Sequence, residues 1–178
     1  MNIMKNTCKL LIVVAISLVL CCCEGLDDDM GLLNDNDKKT SDKIITEIVQ
    51  VIEEKNTEKL IDMFSVKARK AQNIEEQAKI FFEKFNDNNL TLEDNAGPVV
   101  YDNTESGNKS KKIINWYEVQ GQSGKYTIFF INWTEDTADN DNIGLYTLRI
   151  IKEKDLEEQF IEHDKMEIAG IYYNPSDN

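Results

Sequence analysis

The chain has 178 residues, with 20 basic against 33 acidic side chains and a formal net charge of −13. That balance argues against a nucleic-acid partner and against adhesion to anionic lipid, since both would repel it. The four cysteines end at Cys23 and the one histidine is His163, so the chain beyond Cys23 has no internal disulfide and no structural zinc set.

The first residues place Lys5 and Lys9 ahead of an apolar run, Leu10 to Leu20, interrupted only by Ser17. Eleven helical residues reach about 17 Å, well short of the ~30 Å hydrocarbon core. That length and the basic start predict a signal peptide. The run passes directly into Cys21, Cys22 and Cys23. Leu20 at −3 and Cys22 at −1 of Cys23 resemble the lipobox of bacterial lipoproteins, in which the following cysteine is acylated. Cys22, with Val19 at −3, is the alternative, and Leu20 at −1 is too bulky for Cys21. The resemblance implies a diacylglyceryl anchor, whose two chains suffice for durable attachment where one holds only marginally. The expected organisation is a signal peptide over 1–22, an acidic flexible linker over 23–39, a single α+β domain over 40–175 and a tail over 176–178. Without residues 1–22 the charge becomes −15. The Asp27-Asp28-Asp29 run of the linker is contiguous, a spacing unsuited to chelation.

Ile44, Ile45, Ile48, Val49, Val51 and Ile52 recur at three- and four-residue steps, which predicts an amphipathic helix over 41–54 with Ser41 as its N-cap. After the break at Lys55-Asn56-Thr57, a short helix capped by Thr57 carries Leu60, Ile61, Met63 and Phe64. A polar helical stretch follows over 65–72. Asn73 with Glu76 suggests a capping box opening a third helix, whose apolar set is Ile74, Ala78, Phe81, Phe82 and Phe85. Strands are then predicted at 90–92, 99–101, 112–119, 125–134, 144–151 and 168–173 from β-branched and aromatic content. The Gly121-Gln122-Ser123-Gly124 turn makes 112–119 and 125–134 a hairpin. Within 125–134 both faces are apolar. Tyr126, Ile128, Phe130 and Asn132 form one; Thr127, Phe129, Ile131 and Trp133 form the other, which is either covered or lines a pocket. The stretch 152–165 is charged, with room for a helical turn.

Helices followed by antiparallel strands define an α+β class, with three N-terminal helices packed on a curved antiparallel sheet. Four stretches carry a further likeness: Leu60-Ile61-Asp62-Met63-Phe64-Ser65, Tyr126-Thr127-Ile128-Phe129-Phe130, the segment from Asp141 to Ile151, and Gly170-Ile171-Tyr172-Tyr173-Asn174-Pro175. Over roughly 40–175 the chain resembles an uncharacterised lipoprotein family of Gram-positive gut bacteria. The order of elements resembles the cystatin-like cone of nuclear transport factor two. The resemblance carries no assigned activity and hence no catalytic residue.

No Ser/His/Asp set, phosphate-binding glycine loop or nucleotide fingerprint is present, so no catalytic residue, cofactor or metal is assigned. His163 sits among charges and reads as a surface residue. Glu118 is the one acid within an apolar strand, near its end. Asp136, Asp139 and Asp141 approach a calcium loop, but Ile143 stands where a ligand is due and Ile150 where the bidentate glutamate belongs. The better ligand candidates are Trp116, Tyr126, Trp133, Tyr146 and Arg149, with Tyr117 beside them: aromatic faces and a guanidinium suit a planar or anionic molecule, though the same residues serve equally as sheet packing. The expectation is a lipid-anchored protein on the extracytoplasmic face of the cell membrane that binds an unknown small molecule or protein without catalysis. A tethered enzyme using a buried carboxylate and an immunity- or inhibitor-type protein acting through its acidic surface are the alternatives. Mass spectrometry of the mature N-terminus checks the anchor. The expected N-terminal peptide starts at Cys23 and carries diacylglycerol on sulfur; an unmodified N-terminus beyond residue 23 overturns it.

Overall fold

In the computed structural model the described residues are 35–71, 73–93, 97–157 and 166–173. The first helix, α1, runs Asp35–Glu53 and so starts ahead of the predicted Ser41. Ser41 is not a cap. It is fully buried in mid-helix, where its Oγ accepts from Asn115 Nδ2 at 2.7 Å and meets the Tyr117 hydroxyl at 3.1 Å. Asp37, one turn earlier, is also buried and pairs with Lys111 at 2.7 Å. Asp37, Ser41, Ile45, Ile48 and Ile52 thus form one stripe at helical spacing. Its first two members are polar because polar groups lie opposite them. Residues 35–39, expected in the linker, belong to this helix for the same reason.

The second helix, α2, spans Thr57–Met63. Its cap is Asn56 rather than Thr57: the Asn56 side-chain oxygen accepts from Lys59 N at 3.0 Å. The polar stretch forms α3, Val66–Ala71, with Ser65 Oγ accepting from Ala68 N at 3.1 Å. The next helix, α4, covers Ile74–Lys84. The capping box at its start does not form. Asn73 makes no side-chain cap bond, and its amide donates instead to Glu76 Oε2 at 2.8 Å. Among the described residues no helix is long and apolar enough to cross a membrane.

Among the described residues six strands follow: β1 Thr91–Leu92, β2 Val99–Glu105, β3 Asn108–Gln120, β4 Lys125–Asp136, β5 Gly144–Lys152 and β6 Gly170–Tyr172. The class is α+β, as expected. They make one sheet in the order β1-β3-β4-β5-β6, with β2 also on β3. All pairings are antiparallel except β5 with β6. β2 and the start of β3 run beyond the predicted 99–101 and 112–119 and pair as a hairpin, with Glu105 opposite Asn108. Its two-residue turn, Ser106-Gly107, has φ of 51° and 85°, the left-handed pair that matches strand twist.

Period-two alternation divides the long strands between two layers. Ile113, Tyr117 and Val119 of β3, and Tyr126, Ile128 and Phe130 of β4, join Ile45, Ile48, Ile52, Leu60, Phe64 and Phe81 in the main core. Each large apolar side chain fully buried there contributes about 1.5–3 kcal/mol. Ile114, Phe129, Ile131 and Met166 form a smaller cluster with the residues of the opposite face. Gly144 lets β5 meet the helices: its φ is 121°, and a Cβ would sit 3.1 Å from Ser65 N, whose N–H donates to the Leu145 carbonyl at 2.8 Å.

Asp87 locks the β3–β4 turn to the end of the helical layer. Its carboxylate accepts from the backbone N–H groups of Asn88 (2.9 Å), Gln122 (2.9 Å) and Ser123 (3.0 Å). Burial alone would raise its pKa. The Tyr126 hydroxyl and these three N–H groups outweigh it and hold the carboxyl below the ordinary aspartate value of 3.8. A Cβ on Gly121 would stand 2.5 Å from Asp87 Oδ2. Asp87→Ala should therefore cost about 3 kcal/mol in urea denaturation, through donors left without an acceptor. Because the folded pKa is depressed, the contribution is complete at neutral pH and fades as pH falls below the ordinary carboxylate range. Gly121→Ala should cost about 1–2 kcal/mol in the parent and much less in an Asp87→Ala background; equal costs in both would show that the two do not touch.

Candidate functional site

Among the described residues the sheet face away from the helices is partly covered and carries a cleft. Across the β3–β4 ladder Ile114 opposes Ile131, Trp116 opposes Phe129 and Glu118 opposes Thr127. A facing wall comes from Leu156 and Glu157, just after the 3-10 turn Glu153–Asp155, and from Met166 and Glu167. Together with Val99 and Tyr101 of β2 these residues enclose a cleft of ≈ 1020 Å³. Phe129 and Met166 are buried in its floor and wall, whereas Trp116 is 39% exposed. Among the described lining residues Trp116 is the large apolar side chain left most exposed.

Lys112 closes one end. Its ammonium lies 4.8 Å from the Tyr101 ring centroid and 5.8 Å from that of Trp133. It also binds both Glu167 carboxylate oxygens, at 3.1 and 3.0 Å. This clamp ties the chain just before β6 to the start of the long hairpin, 55 residues away in sequence. Beyond it a smaller pocket of ≈ 170 Å³ is lined by Lys112, Trp133, Asn142 and Tyr146. Tyr146 is the extra residue of a bulge, since Ile131 pairs with Thr147 while Asn132 pairs with Leu145.

The candidate ligand residues are therefore distributed rather than gathered. Trp116 lines the large cleft. Trp133 and Tyr146 line the small pocket. Arg149 pairs with Phe129 and Tyr172 in register, and its guanidinium lies over the Tyr172 ring at 4.5 Å. Tyr126 points to the opposite side, into the helical layer. There it packs edge-on to Phe85 at 5.3 Å, and burial followed by the Asp87 carboxylate pushes its hydroxyl pKa up strongly. Tyr117 is likewise on the helix side and donates to Asp42 Oδ1 at 2.8 Å. His163 lies outside the described residues, as do Cys22 and Cys23.

Among the described residues four aspartates, Asp37, Asp87, Asp136 and Asp155, are buried, and none lines the cleft. Glu118 does line it, and is exposed. The Asp136–Asp141 loop spends its carboxylates internally. Asp136 accepts from Asn142 Nδ2 at 2.7 Å and from the Asp139 and Ala138 N–H groups at 2.9 and 3.1 Å, and these bonds depress its pKa. Asp139 and Asp141 pair with Lys67 and Lys70 of α3 at 3.1 and 3.0 Å. Among the described residues no group of three or more His, Cys, Asp or Glu side chains is arranged to hold a metal.

The β4 half of the cleft is visible in sequence as the second apolar face of the hairpin. Leu156 and Met166 carry no such signal, because they lie in a charged stretch without periodicity. The family described as a domain of unknown function, DUF5104, matches residues 47–153. That is more than half of the chain, from the middle of α1 to the end of β5, and the chain belongs to this family. No curated protein matches it.

The Lys112 clamp yields a stability prediction. Lys112→Gln should cost about 1 kcal/mol in urea denaturation, through lost cation–ring attraction, and Lys112→Arg should recover most of it. A cost that Arg does not recover would assign the effect to packing of the lysine stem.

Proposed function

We propose that this member of the DUF5104 family is a lipoprotein anchored at the extracytoplasmic face of the membrane, and that its domain is a non-enzymatic module for binding a small, largely apolar molecule. The single observation carrying the binding role is the half-exposed Trp116 above the apolar floor of a ≈ 1020 Å³ cleft. Ligand sites are concave, mainly apolar and aromatic, and have a few polar groups at fixed places. This cleft has that make-up: Ile114, Phe129, Leu156 and Met166 supply apolar area, and Thr127 and Glu118 supply polar edges. Binding is favoured over catalysis because the buried carboxylates of Asp37, Asp87 and Asp136 serve as structural acceptors away from the cleft.

The anchor rests on the apolar leader and the cysteine triplet, with Cys23 the acylated residue and Cys22 its alternative. The cystatin-like cone and the likeness to lipoproteins of Gram-positive gut bacteria are supported by the order of elements, helices ahead of a mostly antiparallel sheet among the described residues.

Tryptophan quenching by a neutral aromatic alcohol, 1-naphthalenemethanol, tests the binding role. Saturable quenching is expected, weakened about tenfold or more in Phe129→Ala through lost apolar contact, and unchanged in Trp133→Phe, outside the cleft. Quenching that survives Trp116→Phe but disappears in Trp133→Phe would move the site to the smaller pocket and overturn the assignment.

A further inference from the structure

Among the described residues the charged side chains that line the cleft are carboxylates, with the Lys112 ammonium at one end. Glu118, Glu157 and Glu167 line it, and among the described residues no lysine or arginine does. Glu167 is already engaged by Lys112 at 3.0 Å. Glu118 and Glu157 take part in no ion pair among the described residues. Lys125, which feels the charge of Glu118, is held by Glu93 at 3.1 Å.

Glu118 stands two residues from Trp116 on β3, so both side chains rise from one face, roughly 7 Å apart along the strand. Phe129 and Thr127 sit beside them across the ladder. A carboxylate next to an open indole, above an apolar floor, attracts an organic cation by two routes. The ring face and the carboxylate both favour positive charge, and the floor takes the hydrophobic body. The protein already uses this chemistry once. At the other end of the cleft the Lys112 ammonium sits against Tyr101, Trp133 and Glu167. The net charge of −13 adds a long-range bias in the same direction.

We propose that the cleft selects an organic cation with an apolar body, its ammonium beside Trp116 and Glu118 with Glu157 on the facing wall, and its hydrophobic part on Phe129 and Met166. This deepens, and rests on, the assignment of the cleft as a ligand site. An anion would meet Glu118 and Glu157, which have no basic partner among the described residues, and a neutral molecule would gain only from buried area.

The test holds the full chain in uncharged maltoside micelles, with protein-free micelles as blank, and reads Trp116 fluorescence in a Trp133→Phe background. Three probes share one shape: 4-phenylbutyl-trimethylammonium, its neutral tert-butyl isostere and the corresponding carboxylate. The cation should bind about tenfold more tightly than the neutral isostere, an advantage that shrinks with added salt. In a Glu118→Gln/Glu157→Gln variant, changed only at exposed positions, cation and isostere should bind within about twofold of each other, since the charge term is gone. Equal binding of cation and isostere to the parent overturns the charge selectivity while leaving the cleft a ligand site. So does a cation preference that persists in the double variant. No response to any of the probes overturns both readings together.

Discussion

The pairing register of β3 with β4 is the constraint on which the remaining structure depends. With Tyr117 opposite Ile128 and Val119 opposite Tyr126, every second residue of both strands turns towards the helices. A slip of one residue would send Trp116, Glu118 and Thr127 into the core and expose Phe130 and Ile128. The turn after β3 sets that register, and Asp87 fixes the turn from outside the sheet. A single carboxylate thus links the end of the helical layer to the alignment of the two longest strands, and through them to the composition of both faces.

Polar groups rather than additional apolar ones position α1. Asp37 meets Lys111, Ser41 meets Asn115 and Tyr117, and Tyr117 donates to Asp42. Hydrophobic burial is non-directional and would tolerate α1 at several rotations and heights. Buried hydrogen bonds do not, because a mismatched donor or acceptor loses its full solvation without replacement. The first two turns of α1 therefore fix where the helix sits, and the isoleucine stripe below them provides most of the burial.

The same division explains what could be seen in the sequence. The Ile45-to-Ile52 stripe, the Tyr126–Phe130 alternation and the glycine-bearing turn at 121–124 all express periodic burial, and each led to the right element. Asp37 and Ser41 were misassigned because a polar residue facing a polar partner breaks the apolar pattern without breaking the helix. Most of β2 and the first residues of β3 were missed because edge strands with polar faces, such as Asp102 to Lys109, have no alternation to detect. Tyr126 was grouped with Trp116 as a ligand residue. Its place on β4 puts it on the face opposite Trp133, but only the pairing with β3 says which parity faces the helices. The placement of Leu156 and Met166 in the wall depends on contacts distant in sequence, for which the chain has no local signature.

The buried Asp37–Lys111 pair also bears on the order in which the domain comes together. Its partners stand 74 residues apart in sequence, so the first turns of α1 are completed only once β3 is in place. Contacts of such long reach cost loop-closure entropy before they return any stability. A helix whose isoleucine stripe can dock by itself is thus finished by the sheet, and helical layer and sheet become one cooperative unit.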